Sequence, residues 1–237
     1  MNFSNVVVDS LYYPFNDLKR FFILLILFLT SFLLVPMVIG LGYMWRIIEN
    51  TLKGNERLPD FSNINQLFVN GLKILVVQII YSIPTFLVLY LLSLIMNINI
   101  NLAVLTELSN NPSYVFILIF VGLFVGFFVN IVLVIGFGNM VHENRLMAVF
   151  DFKKIFQLIK IIGWKNYLIY IIIYTLIGAL IMLHSSLTAL LNTNPGNIAL
   201  SVFLIMNITQ NICKTYSAIF ASRFKGLVYP IKEIETV

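Results

Sequence analysis

GFGNMVHENRLMAVFDFKKIFQLIKIIGWK, residues Gly136 to Lys165, is the longest run of this chain that water would tolerate. It carries Glu143, Arg145, Asp151, Lys153, Lys154, Lys160 and Lys165 between two long apolar segments. Those segments, Tyr114 to Ile135 and Tyr167 to Leu190, each suffice to cross a hydrocarbon core of about 30 Å at about 1.5 Å per residue. The run therefore reads as a polar connection between two membrane spans. The fold class expected from it is all-α, a polytopic transmembrane helical bundle.

Composition points the same way. Apolar residues make up 60% of the sequence and charged residues 11%, with a mean hydropathy of +0.96. A water-soluble fold would have too little polar surface to cover itself. The 237 residues admit about five spans with short connections, forming a single membrane domain. The one cysteine, Cys213, excludes an intramolecular disulfide, and no Cys/His spacing points to a metal or cofactor.

Towards the N-terminus, residues 1–18 read as an interfacial helix, with Phe3, Val6, Val7, Leu11 and Phe15 at helical spacing and Pro14 bending its end. The first apolar run, 21–44, is interrupted by Pro36, Gly40 and Gly42. It reads as one kinked crossing, with a re-entrant element as the alternative. Further spans are expected at 72–96, 114–135, 167–190 and 198–222. Residues 60–71 and 146–165 read as cytoplasmic amphipathic segments. In the second, Lys153, Lys154, Gln157 and Lys160 fall opposite Phe152, Ile155, Phe156, Ile159 and Ile162, and Trp164 and Tyr167 suit the headgroup level.

Positive charges set the orientation, because Lys and Arg of short loops stay on the cytoplasmic side. Arg46, Lys53, Arg57 and Lys73 flank the first connection, Arg145 to Lys165 fill the third, and Lys214, Arg223, Lys225 and Lys232 lie in or after the last span. The second and fourth connections carry none. This places the first and third connections and the C-terminus in the cytoplasm of a cell-membrane protein. Five full crossings would put the N-terminus outside with Lys19 and Arg20, against the rule; a re-entrant first run removes the conflict.

The sequence also resembles itself. Ile39-Gly40-Leu41-Gly42-Tyr43-Met44 matches Ile135-Gly136-Phe137-Gly138-Asn139-Met140, and each is followed by Glu-Asn, at Glu49-Asn50 and Glu143-Asn144. Asp60-Phe61, Ile64 and Gln66-Leu67 then recur at the spacing of Asp151-Phe152, Ile155 and Gln157-Leu158. A parallel internal repeat is expected.

The broken first span, together with Gly42-Tyr43, Arg46, Leu52-Lys53-Gly54, Leu58-Pro59-Asp60-Phe61, Phe68 and Gly71-Leu72-Lys73, resembles an uncharacterised family of archaeal and bacterial integral membrane proteins, domain of unknown function 4013. The resemblance implies a multi-pass membrane protein and assigns no activity.

Few residues point to chemistry. Asn207, Gln210, Asn211 and Lys214 form a candidate intramembrane polar site, spaced to make one stripe along the last span. Polar groups at that depth face protein or water. Here they either hydrogen-bond to neighbouring helices or line a solute cavity with Lys214 as its anion-binding group. His142, Glu143 and Arg145 form a candidate cytoplasmic-face cluster, whose ordinary reading is a solvated group at the headgroup level. His184 could cap a carbonyl or face water. Gly122 and Gly126 make a small-residue pair that serves close helix packing or self-association.

The sequence contains no phosphate-binding glycine loop, zinc-protease helix, nucleophile elbow or intramembrane carboxylate pair. The expected function is a non-enzymatic membrane component that binds lipid or a partner. The alternative is a small-solute permease using the polar stripe, against which no Asp or Glu lies inside a span. A lipid-directed enzyme built on His142, Glu143 and Asp151 comes third. Membrane lipids are the expected partners. Nucleic acid is not, because the positive charges follow the membrane-orientation pattern.

Overall fold

Proline has no N–H with which to continue a helix, so at Pro14 the first helix, α1 (Phe3–Tyr12), gives way to a 3-10 turn, Tyr13–Phe15. Asp17, extended at φ −150°, then accepts the Arg20 N–H at 3.0 Å and caps α2 (Leu18–Leu29). The computed structural model describes residues 3–95, 112–192 and 200–231. Every regular element among them is helical. After α2 come α3 (Leu34–Leu52), α4 (Ile64–Ile95), α5 (Pro112–Glu143), α6 (Phe152–Ile162), α7 (Trp164–Asn192) and α8 (Leu200–Val228), with a second 3-10 turn at Leu146–Phe150.

The first apolar run forms two helices. At the end of α2 the Thr30 hydroxyl donates back to the Ile26 carbonyl at 2.8 Å, and the chain turns before α3 begins at Leu34. The interruption predicted at Pro36, Gly40 and Gly42 thus falls earlier. Pro36 sits in the first turn of α3, where a missing N–H removes no helix bond.

Helix α3 folds back along α2. Phe21 and Leu24 share a buried cluster with Tyr43 and Ile47, and a Cβ added at Gly40 would stand 2.9 Å from the Phe28 ring. A continuous helix would hold Leu24 and Tyr43 about 28 Å apart at 1.5 Å per residue. The two helices are therefore an antiparallel hairpin, with Phe32, Leu33, Leu34 and Val35 exposed at its tip.

Helix α4 crosses α3 with the backbones nearly touching. A Cβ at Gly42 would overlap the Leu67 carbonyl, and one at Gly71 would overlap the Val38 carbonyl. Only glycine permits such an approach. The amphipathic segment predicted at 60–71 is consequently no separate helix. Residues 60–63 are irregular, and Ile64 begins α4, which buries Leu67, Asn70 and Gly71 in its first turns.

The second polar stretch folds differently. Asn144 adopts φ 52°, Asp151 caps α6 by accepting the Lys154 N–H at 3.0 Å, and Gly163, at φ 88°, carries the bend of 102° between α6 and α7. Helix α6 buries Ile155, Leu158 and Ile159 and exposes Lys153, Gln157 and Lys160. Phe152 and Phe156 also stay exposed, although the helical wheel groups them with Ile155 and Ile159. The two similar stretches of sequence thus fold differently: the first runs unbroken into its long helix, whereas the second bends at Gly163.

Helix α8 returns through the middle and packs on α1, α2, α3, α5 and α7, burying Ile219, Phe220, Phe224 and Val228. Away from the polar connections, α4 and α5 present apolar surface, including Phe86, Ile95, Phe116 and Phe120. Ile64–Ile95 and Phe116–Glu143 are long and apolar enough to cross a membrane, and only 11% and 6% of their apolar windows is buried. A third span results if Phe152–Ile162 and Trp164–Leu180 count as one. Among the described residues, two or three spans therefore qualify by length and composition, where the sequence reading expects five along the whole chain.

Candidate functional site

Residues 55–62, Asn55 to Ser62, have no regular secondary structure, so their carbonyls need partners from elsewhere. Side chains supply them almost residue by residue. Arg223 donates to Asn55 O at 2.6 Å, Asn16 to Glu56 O at 3.1 Å, and Tyr13 and Asn50 to Arg57 O at 2.9 and 2.7 Å. Arg20 donates to Leu58 O, Tyr43 to Pro59 O at 2.7 Å, and Arg46 to Asp60 O at 3.0 Å and also to Ser62 O. Leu58 is buried, and the Phe61 ring stacks on Tyr43 with centroids 3.9 Å apart. The loop is thereby clasped by α2, α3, α8 and the turn after α1.

The charges around the clasp follow from these contacts. Burial pushes the Tyr13 hydroxyl up from its ordinary value, which keeps it a donor. The Asp60 carboxyl is held below the usual range chiefly by the Ser62 hydroxyl, which donates to it at 2.7 Å, and Arg46 adds to the effect.

Arg223 ties the last helix to this loop. Its side chain is 4% exposed and pairs with Asp9 of α1, while Nη1 also reaches Thr51 Oγ1 at 3.3 Å and the guanidinium lies 4.4 Å from the Tyr13 ring centre. In the sequence Arg223 is only a positive charge near a helix end. Its role was not visible there, because its partner Asp9 lies 214 positions away.

A second polar region lies where α3 and α5 end beside the start of α4. A cavity of about 520 Å³ is lined there by Trp45, Glu49, Lys53, Gln66, Asn70 and His142, among others. Lys73 places its ammonium 4.7 Å from the Trp45 ring centre and donates to Asn144 Oδ1 at 3.2 Å.

The predicted cytoplasmic-face cluster is divided. Glu143 accepts from both Arg145 and Lys154, an ion network that joins the end of α5 to α6. His142 instead faces the Tyr229 ring, with centroids 5.4 Å apart, and the cavity beside it. Burial raises the Tyr229 hydroxyl to about 12, and as a neutral group it donates to Asn139 Oδ1 at 3.2 Å.

Comparison with known families bears on the same region. The family described as Protein of unknown function (DUF4013) matches residues 24–190. The chain belongs to that family. No curated protein and no solved structure matches it. The DUF4013 match contains the clasped loop and every lining residue of the Trp45 cavity except Ile231, whereas Arg223 and the polar stripe lie beyond it.

In this DUF4013 protein Asn207, Gln210 and Asn211 are half-buried and Lys214 is exposed. The Asn211 amide donates to Asn207 O at 2.9 Å, a bond that runs along α8. A Cβ at Gly122 or Gly126 would meet nothing within 4 Å, so neither glycine serves close packing among the described residues. The His184 side chain lies outside the described residues. Asp151, named with His142 and Glu143 as a catalytic candidate, is the cap of α6.

Proposed function

We propose that this DUF4013 protein is a non-enzymatic, multi-pass component of the cell membrane whose cytoplasmic end holds anionic lipid or a partner protein. The observation that carries this reading is the clasped loop: side chains from four parts of the chain hold one polar segment rigid at one end of an otherwise apolar bundle. A pre-organised polar platform of this kind favours binding, because little ordering remains to oppose it.

In this reading α4, α5, α7 and α8 cross the bilayer and the α2–α3 hairpin enters one leaflet, so that four crossings and a re-entrant hairpin replace five crossings. The hairpin returns Lys19 and Arg20 to the end that carries Arg46, Lys53, Arg57, Lys73, Arg145 and Arg223, consistent with a cytoplasmic location for that end and for both termini. Helix α2, of 12 residues, is about 18 Å long at 1.5 Å per residue, well short of a hydrocarbon core of about 30 Å. The exposed Phe152, Phe156 and Trp164 beside Lys153 and Lys160 suit α6 to the lipid interface.

A catalytic role for the His142 cluster is disfavoured, since Glu143 is neutralised by two cations and Asp151 is engaged by the α6 backbone. Gentle extraction from native membranes, followed by mass spectrometry of what stays bound, tests the proposal. Retention of a stoichiometric partner or selective enrichment of an anionic lipid is expected. A protein that retains neither, and that carries a solute into proteoliposomes, would overturn it in favour of the permease.

A further inference from the structure

We propose that the cavity beside Trp45 is a binding site for a phosphoryl group, with Lys73 as the charge that holds it; the inference rests on the lipid-binding reading above. Lys73 stands between Leu72 and Ile74 in a helix that carries no other charge from this point onward. Its ammonium is engaged only by neutral groups, the Trp45 ring and the Asn144 carbonyl oxygen, and makes no ion pair among the described residues. The acids nearby are taken: Glu49 pairs with Lys53 at 2.5 Å, and Glu143 pairs with Arg145 and Lys154. Lys73 stands beside the cavity rather than in its lining, touching two of the lining residues, Trp45 and Asn144, and with Lys53 balanced by Glu49 it is the one positive charge left at the cavity's edge. That charge matches the single negative charge of a phosphodiester.

The surrounding donors complete the match. Asn70 is 5% exposed and its oxygen accepts from Gln66 at 3.1 Å, which leaves its amide N–H groups free to donate. Asn144 spends its oxygen on Lys73 and likewise keeps its amide donors. Asn144 owes its position to a left-handed backbone, φ 52°, at the end of α5. Two amides in the lining and one ammonium at its edge suit an oxyanion better than a cation or a neutral solute. The phosphoryl group comes either from a phospholipid head or from the free ion.

Thermal unfolding of the purified full-length protein in neutral detergent would be followed with added phosphatidylglycerol, diacylglycerol or inorganic phosphate. Stabilisation by phosphatidylglycerol, and not by diacylglycerol, is expected; stabilisation by inorganic phosphate alone would keep the site and reassign its ligand to the free ion. Lys73→Gln should weaken the phosphoryl response about tenfold or more, Lys73→Arg should retain it, and the double variant Lys153→Gln/Lys160→Gln on the exposed face of α6 should leave it unchanged. Asn144→Asp, which keeps Lys73 but neutralises it in place, should weaken it as well and covers the case in which Lys73→Gln fails to fold. An undiminished response in Lys73→Gln or Asn144→Asp overturns the site while leaving the binding platform standing. A wild-type protein that responds to neither phosphatidylglycerol nor phosphate overturns the site, and if it also retains no partner or anionic lipid the broader reading falls with it.

Discussion

Arg223 and Asp9 share a two-point ion pair, Nη2 to Oδ2 at 2.8 Å and Nε to Oδ1 at 3.3 Å, which closes α8 onto α1. Asp9→Asn would leave the guanidinium buried without its counter-charge. Breaking a fully buried pair in this way costs about 3–5 kcal/mol, and because Asp9 is 35% exposed a loss of about 2 kcal/mol is expected. The readout is a lowered thermal midpoint in detergent. An unchanged midpoint would mean that the contact does not hold α1 in place.

Gly42 and Gly71 make a sharper test of packing. Gly42→Ala and Gly71→Ala each drive a methyl into a backbone carbonyl that has no rotamer to escape by, so each should lose at least the 1–3 kcal/mol or so typical of overpacking. Gly122→Ala, with open space around it, should be neutral or stabilising by up to about 1 kcal/mol, since alanine favours a helix over glycine. Equal effects at all three positions would contradict the α3–α4 crossing.

The Arg57–Leu58 bond should resist trypsin, because the Arg57 carbonyl accepts from both Tyr13 and Asn50 and Leu58 is buried. Tyr13→Phe combined with Asn50→Ala removes both donors and should speed cleavage at that bond by about thirtyfold, on about 1 kcal/mol for each hydrogen bond lost. Rapid cleavage of the wild type at Arg57 would show that the clasp does not hold in solution.

Much of the helical layout was legible from hydropathy alone, and the polar connections around 53–63 and 144–151 fall where charge and turn residues place them. The hairpin was harder to read. A run such as 21–44 is apolar but for Thr30 and Ser31, and what holds it folded is the packing of Phe21, Leu24 and Phe28 onto Tyr43, Ile47 and Gly40, contacts that no periodicity encodes. The Pro36, Gly40 and Gly42 interruption and the conflict over Lys19 and Arg20 were the sequence signals that pointed to it. The clasp was invisible for a different reason: backbone carbonyls accept hydrogen bonds whatever their side chains are, so nothing in Asn55 to Ser62 announces Arg20, Tyr43 or Arg223 as partners. The stripe Asn207, Gln210, Asn211 and Lys214 was easy to see, but spacing carries no information on the partners of its side chains.

The central claim is that the α2–α3 hairpin returns the chain to the side it entered from. It is tested most directly by single-cysteine labelling in a Cys213→Ser background with a membrane-impermeant maleimide. Ser4→Cys, Glu56→Cys and Lys153→Cys, all at exposed positions, should label in inside-out vesicles and not in intact cells, and Phe32→Cys, at the hairpin tip, should label from neither side. Labelling of Ser4→Cys in intact cells, with Glu56→Cys still protected there, would mean that residues 21–44 cross the bilayer once and would contradict the account.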